Sequence, residues 1–185
     1  MDDREIIALF FDRSELAIEE LSKKYGKLCI HIADNILGNR QDAEECTNDA
    51  YLGAWNTIPP QKPNPLKAYI CKLVRNISIT KYHANTAQKR NSHYDVALDE
   101  LKDCLSSTET AESAFLAKEL SHILDRFLLT VDQRSRVMFV RRYWYSDSIA
   151  EIAEMFQMRP NTVTVHLTQV RNKLRKFLVK EGYIG

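Results

Sequence analysis

The amino-acid sequence predicts an all-α protein: two small helical domains joined by a flexible linker, the C-terminal one carrying a helix-turn-helix. Three observations lead there. Proline and glycine number only five each in 185 residues, whereas the strong helix formers Leu, Ala, Lys, Glu and Arg are common. Apolar residues recur at helical spacing along most of the chain. And residues 147–178, DSIAEIAEMFQMRPNTVTVHLTQVRNKLRKFL, divide into two periodic segments about a tight turn. The chain length allows two small domains, each near the lower limit for a self-sufficient core. We place them at residues 1–90 and 116–185, with residues 91–115 as the linker.

Ile6, Ile7, Phe10 and Phe11 suggest a short amphipathic first helix. A longer one follows from about Glu15 to Leu37, with the stripe Leu21, Tyr25, Leu28, Ile32 and Ile36, and Gly38-Asn39 ends it with residues that tolerate a left-handed cap. The third helix, about Gln41 to Thr57, opens on Asp42, Glu44 and Glu45, which complement its dipole, and could face Cys46, Ala50 and Ala54 inward. Pro59, Pro60, Pro63 and Pro65 make an extended, stiff break. After it, LKAYICKLVRNISITKYHAN (Leu66 to Asn85) offers Leu66, Tyr69, Ile70, Leu73, Ile77 and Ile79 for packing, and Lys67, Lys72, Arg75 and Lys81 as a cationic face. A basic helix bearing an aromatic beside a stiff loop suits gripping and stacking unpaired bases; the alternative is a solvated basic face.

Residues 83–113 are polar and lack a sustained period, so they read as a tether with a turn of helix around Val96 to Leu101. Helical pattern resumes near Ala114 through Leu116, Leu120, Ile123, Leu124 and Phe127, then over Asp132 to Trp144. In the helix-turn-helix, Ile149, Ile152, Ala153 and Phe156 share one face, Met158 marks the turn, and Val163, Leu167, Val170 and Leu174 line the second helix. Pro160 suits a first helical turn, and Arg171, Lys173, Arg175 and Lys176 load the far end with charge fit for a helix C-terminus and a phosphate backbone.

The formal net charge of +1 conceals blocks. Residues 1–49 hold 6 Lys/Arg against 12 Asp/Glu; residues 50–94 hold seven cations and no acid; residues 95–115 return to −5, and residues 116–185 reach +5. Two basic blocks between acidic ones suggest two contacts on a polyanion. Cys29, Cys46, Cys71 and Cys104 have no paired spacing and read as reduced thiols rather than metal ligands. The N-terminus lacks the basic start and apolar run of a signal peptide, so a cytoplasmic protein is expected. No glycine-rich phosphate loop, metal cluster or nucleophile elbow is present; we expect no enzyme, catalytic residue, metal or cofactor.

At this point the chain resembles the extracytoplasmic-function (ECF) group of sigma factors, in the sigma-70 family of bacterial RNA polymerase. Asp42, Ala43, Glu44, Glu45, Asn48, Asp49, Tyr51, Leu52, Ala54 and Trp55 follow the family pattern D-A-E-D/E-x-x-Q-E/D-x-F/Y-L-x-A-W. The resemblance implies docking of this helix on the beta prime clamp coiled coil through Asp42, Glu45, Asn48, Asp49 and Leu52. Leu66, Ala68, Tyr69, Ile70, Lys72, Leu73, Val74, Arg75 and Asn76 are similar to the next family motif, F-x-A-W-L-Y-R-I-A-R-N. By that likeness Lys62, Lys67, Tyr69, Lys72, Arg75 and Asn76 contact the minus-ten element, where a base is flipped and the duplex melts. The C-terminal half looks like the family's fourth region, implying minus-thirty-five contacts by Arg159, Asn161, Thr162, Thr164, His166, Arg171, Lys173 and Arg175. Thr164, His166 and Gln169 stand where the family often has cations, and Gln157 replaces a customary turn glycine.

The function implied is promoter-specific initiation by core RNA polymerase, bound through its beta prime and beta subunits, and promoter DNA, with room for an anti-sigma factor and no membrane insertion. The alternative is a stand-alone helix-turn-helix regulator of duplex DNA. A nucleic-acid-processing enzyme would need Asp42, Glu44, Glu45 and Asp49 to converge, and helical spacing spreads them over more than one face.

Overall fold

The computed structural model describes residues 1–85, 93–105 and 113–183, with side chains at all of these except 102–105 and 113–119. Every regular element among them is a helix. The chain forms two compact units, residues 1–94 and 95–185.

The first unit comprises α1 (Asp3–Phe11), α2 (Leu16–Leu37), α3 (Arg40–Thr57) and α4 (Leu66–Asn85). Its helix ends carry local signals. Asp2 and Glu5 close a capping box on α1, Asn39 accepts from the amides of Gln41 and Asp42 at the start of α3, and Gly38 ends α2 at φ 62°. That left-handed turn costs a glycine no Cβ clash. On α3 the buried positions are Ala43, Cys46, Thr47, Ala50, Tyr51 and Ala54. The small side chains of Ala43, Cys46, Ala50 and Ala54 let α2 and α4 approach the backbone closely, and Gly26 of α2 lies so near Tyr51 that an added Cβ would stand 3.1 Å from its hydroxyl. Ile6, Phe10, Leu21, Ile32, Ile36, Ile58, Leu66 and Ile70 fill the rest of the core. Cys29, Cys46 and Cys71 are buried free thiols, and burial pushes the Cys29 thiol up to about 12.

Two stripes differ from the expected ones. In α2, Cys29 is buried with Leu21, Ile32 and Ile36, while Leu28 and Tyr25 are half-buried. In α4 the buried line is Leu66, Ile70, Cys71, Val74, Ser78 and Tyr82. Tyr69, Leu73, Ile77 and Ile79 sit at its margin. Strict i, i+4 spacing from Leu66 wins over side-chain apolarity, so even Ser78 is enclosed.

The second unit contains most of α5 (His93–Leu105), then α6 (Ser113–Thr130), α7 (Gln133–Tyr143), α8 (Ile149–Met155) and α9 (Pro160–Lys180). Where one turn of helix was expected within the tether, α5 runs for 13 residues. Ala97 and Leu101 pack into the apolar core of this unit, which supplies tertiary support that a polar sequence could not advertise. Residues 86–92 and 106–112, the remainder of the expected tether, lie outside the described residues. The core itself is Phe127, Met138, Ile152, Val163, Leu167, Val170, Leu174 and Leu178, with Phe127 packing its ring against both Phe139 and Phe177.

Asp132 caps α7 through the Ser135 amide, and Ser148 with Glu151 forms a capping box on α8. Gln157 makes the turn into α9 at φ 53°, and the Met158 amide donates to the Ala153 carbonyl at 2.9 Å. A non-glycine residue thus bears the left-handed conformation of this turn.

Candidate nucleic-acid interface

On α3, Glu45, Asn48, Asp49 and Leu52 fall at i, i+3, i+4 and i+7 and all are exposed, so they share one outward stripe. Leu52 is 56% exposed, a large apolar side chain offered to solvent among polar ones. Beside it an open groove is lined by Leu16, Ile18, Trp55 and their neighbours. Trp55 is held in place by Arg13, whose Nη1 donates to the Trp55 carbonyl at 2.6 Å while its guanidinium lies 5.4 Å from the ring centroid. Asp42 stands apart from the stripe. With Glu45 it pairs to Lys81 of α4, at 3.1 Å and 2.7 Å respectively, and the hydrogen bond that Lys81 donates to Glu45 raises the Lys81 pKa.

The six expected minus-ten residues divide differently. Lys67, Lys72 and Asn76 project from α4 into solvent. Lys62, in the proline-rich loop, is exposed but has its ammonium 5.1 Å from the centre of the Phe11 ring. Tyr69 is half-buried, its hydroxyl 2.5 Å from that of Thr57, which ties the end of α3 to the start of α4. Arg75 is turned inward over the Tyr94 ring at 5.7 Å, and burial lowers its pKa. Tyr94 in turn stands edge-on to Tyr82. Adjacency to the buried line does not explain the split, since Lys67 follows Leu66 and Lys72 follows Cys71; what distinguishes Arg75 is the Tyr94 ring beneath its guanidinium.

On α9 the buried positions Val163, Leu167, Val170, Leu174 and Leu178 fix the orientation of every other side chain. Opposite them lie Asn161, Val165, Thr168, Gln169 and Asn172, all exposed, with Thr162 and Thr164 on the flanks. Val165, Thr168 and Asn172 were not among the expected contacts; the helical phase of the apolar stripe was the signal that would have found them. Arg159 is the N-cap residue in extended conformation, and Lys173, Arg175 and Lys176 are exposed near the other end. His166 is half-buried on one edge of the stripe.

Arg171 does not join the outward face. Its Nη1 donates to the Tyr143 hydroxyl at 2.7 Å and to Glu100 Oε2 at 3.2 Å, and its Nη2 to the Thr168 hydroxyl at 3.1 Å. Glu100, from α5, also accepts from Arg142 at 2.8 Å and from the Tyr143 hydroxyl at 2.8 Å. The structure thus turns the Arg171 guanidinium, expected on DNA, toward Glu100, Tyr143 and Thr168 within the unit. Burial by itself would raise the Glu100 pKa. The hydrogen bond and charge of Arg142, then Tyr143 and Arg171, outweigh it and hold the carboxyl below its usual range. Arg142, only 2% exposed, also donates to the Asp147 carbonyl at 2.8 Å, so this buried cation locks α5, α7 and the loop before α8 together.

Among the described residues no group of His, Cys, Asp and Glu could hold a metal ion, and no helix is long and apolar enough to cross a membrane. Two helical units, one with an acid-free basic helix beside a stiff loop and one with a helix-turn-helix, define a helical, DNA-directed binding protein. Family models narrow that class. Sigma-70 region 2 matches residues 21–88, and Sigma-70, region 4 matches residues 121–174. The chain is 24% identical over 151 residues to the ECF RNA polymerase sigma factor SigW of Bacillus subtilis (strain 168), covering 77% of this chain and 79% of that one. A solved structure of CnrH in complex with the cytosolic domain of CnrY superimposes with a TM-score of 0.45 at 18% identity, over 96% of this chain and 97% of that one.

The chain belongs to the sigma-70 family of RNA polymerase sigma factors, in its ECF group. As a sigma factor it binds core RNA polymerase and promoter DNA and directs promoter-specific initiation.

Proposed function

We infer that the labour of initiation is divided among three exposed faces. The outward stripe of α3, Glu45, Asn48, Asp49 and Leu52, docks on the beta prime subunit. Lys67, Lys72 and Asn76 of α4, with Lys62 in the loop before it, follow the minus-ten strand. The outward face of α9 enters the major groove at the minus-thirty-five element, with Lys173 and Arg175 on phosphates. Tyr69, Arg75 and Arg171 act as positioning residues instead, and Asp42 orients Lys81. The open groove of Val137, Met155 and Phe156 between α7 and α8 offers the beta subunit an apolar seat.

One observation supports this most: α4 and its loop present cations with no acid from residue 50 to residue 94, next to a helix whose exposed stripe is acidic and apolar. Like charges would otherwise repel the DNA backbone close to the polymerase-docking stripe. The protein works in the cytoplasm, is not itself a catalyst, leaves phosphodiester chemistry to polymerase, and is open to restraint by an anti-sigma partner. Run-off transcription by purified core polymerase on a library of start sites tests the reading. Start-site selection that appears only when this chain is added supports it; unchanged selection refutes it. Tight, specific duplex binding in the absence of polymerase would favour a stand-alone regulator.

A further inference from the structure

The outward face of α9 carries no charge through its first three turns. Asn161, Val165, Thr168, Gln169 and Asn172 are carboxamides, a threonine and an aliphatic, held opposite the buried stripe and therefore fixed in direction. Guanine in the major groove is most often read by the two donors of an Arg or Lys on O6 and N7, adenine by Asn or Gln on N6 and N7, and thymine by apolar contact with its 5-methyl group. In a helix-turn-helix it is the N-terminal part of the second helix that meets base edges.

The cations of α9 are all elsewhere. Arg171 is committed to Glu100, Tyr143 and Thr168. Lys173, Arg175 and Lys176 lie in its second half, where phosphates pass, and Arg159 precedes the first turn at the N-cap. The Thr168 hydroxyl accepts from Arg171, while its methyl lies on the same outward position for a base. Val165, 54% exposed, holds two methyls at the centre of the face.

We propose that this recognition helix selects an A·T-rich upstream element, reading adenine through the carboxamides of Asn161 and Gln169 and thymine through the methyls of Val165 and Thr168. The inference rests on the placement of α9 in the major groove given above and adds the class of base it takes. Glu100 contributes to this selectivity by withholding Arg171 from that face.

The test uses the full chain with core polymerase on templates in which only the upstream element is randomised. Transcripts should be enriched at least about fivefold for A·T pairs at two or more upstream positions, since a good bidentate base contact discriminates by about that factor or more. Uracil in place of thymine, which removes the 5-methyl, should weaken wild-type binding several-fold and weaken Val165→Ala less, since only Thr168 then remains to meet the methyl. Gln169→Arg should move one position toward guanine, whereas Arg159→Gln should weaken binding evenly across sequences. Enrichment for G·C, or indifference to the upstream sequence, overturns the base preference alone. Initiation from no template in the library overturns the sigma-factor placement beneath it.

Discussion

Glu100→Gln is the most informative single change, because one carboxylate joins three helices. It accepts from Arg142 Nε at 3.3 Å and Nη2 at 2.8 Å, from Tyr143 at 2.8 Å and from Arg171 at 3.2 Å. Glutamine keeps the shape and one acceptor but removes the charge, leaving Arg142, with 3% of its side chain exposed, without its neutralising partner. Breaking a fully buried pair costs about 3–5 kcal/mol. The Glu100 side chain is 24% exposed, so solvent screening reduces this to about 2 kcal/mol. Native-state hydrogen exchange reads the two units separately. Protection of α7 and α9 amides should fall about 30-fold, as about 2 kcal/mol implies, while α2 and α3 keep theirs. The pH dependence has a definite sign. Glu100 is held below its usual pKa in the folded chain. Its contribution is therefore complete above the ordinary carboxylate range of about 4.3 and is lost as pH falls through the lower folded value. The difference between wild type and Glu100→Gln should shrink on that acid side. Equal protection in α7 and α9 at neutral pH would refute the clamp.

Three further outcomes follow from the same geometry. Arg175→Ala should lower the salt slope of upstream DNA binding by about 0.9, the loss of one phosphate contact, whereas Arg171→Ala should leave the slope unchanged and reduce stability; equal slope changes would return Arg171 to the DNA face. Asn48→Ala with Asp49→Ala should weaken capture of core polymerase about tenfold or more, as for residues central to an interface, with helical content by circular dichroism intact because both are exposed; unaltered capture would remove the α3 stripe from the docking surface. At the turn of the helix-turn-helix, Gln157 holds φ 53°. Gln157→Gly relieves a left-handed strain of about 1–2 kcal/mol and adds unfolded-chain entropy of about 0.5–1 kcal/mol, so thermal stability should rise slightly, and Gln157→Val should lower it. The reverse order in melting temperature would contradict that account.

The family motifs, the all-helical class and the limits of the long helices were legible in the linear order of residues. α4 runs from Leu66 to Asn85 as its period indicated, and Pro160 opens α9 where its ring is tolerated. Such features depend on local rules: periodicity, caps and proline geometry act within a turn or two. Gln157 could also be singled out by its place at the turn, although only the backbone shows the left-handed angle.

Which cations reach outward was decided by tertiary structure. Lys72 follows the buried Cys71 as Arg75 follows the buried Val74, and Lys173 adjoins the buried Leu174 as Arg171 adjoins Val170, so position along the helix does not separate them. Whether a flanking arginine turns in or out depends on the partner waiting there, Tyr94 for one and Glu100 for the other, and both partners come from α5. α5 itself could not be foreseen at full length: its apolar anchors are few, and a helix of this length is stable only against a core assembled from residues far along the chain. Sequence alone determined the modules and their chemistry; the fold determined which side chains remain available to polymerase and DNA, because burial and pairing are set by neighbours that the linear order does not name.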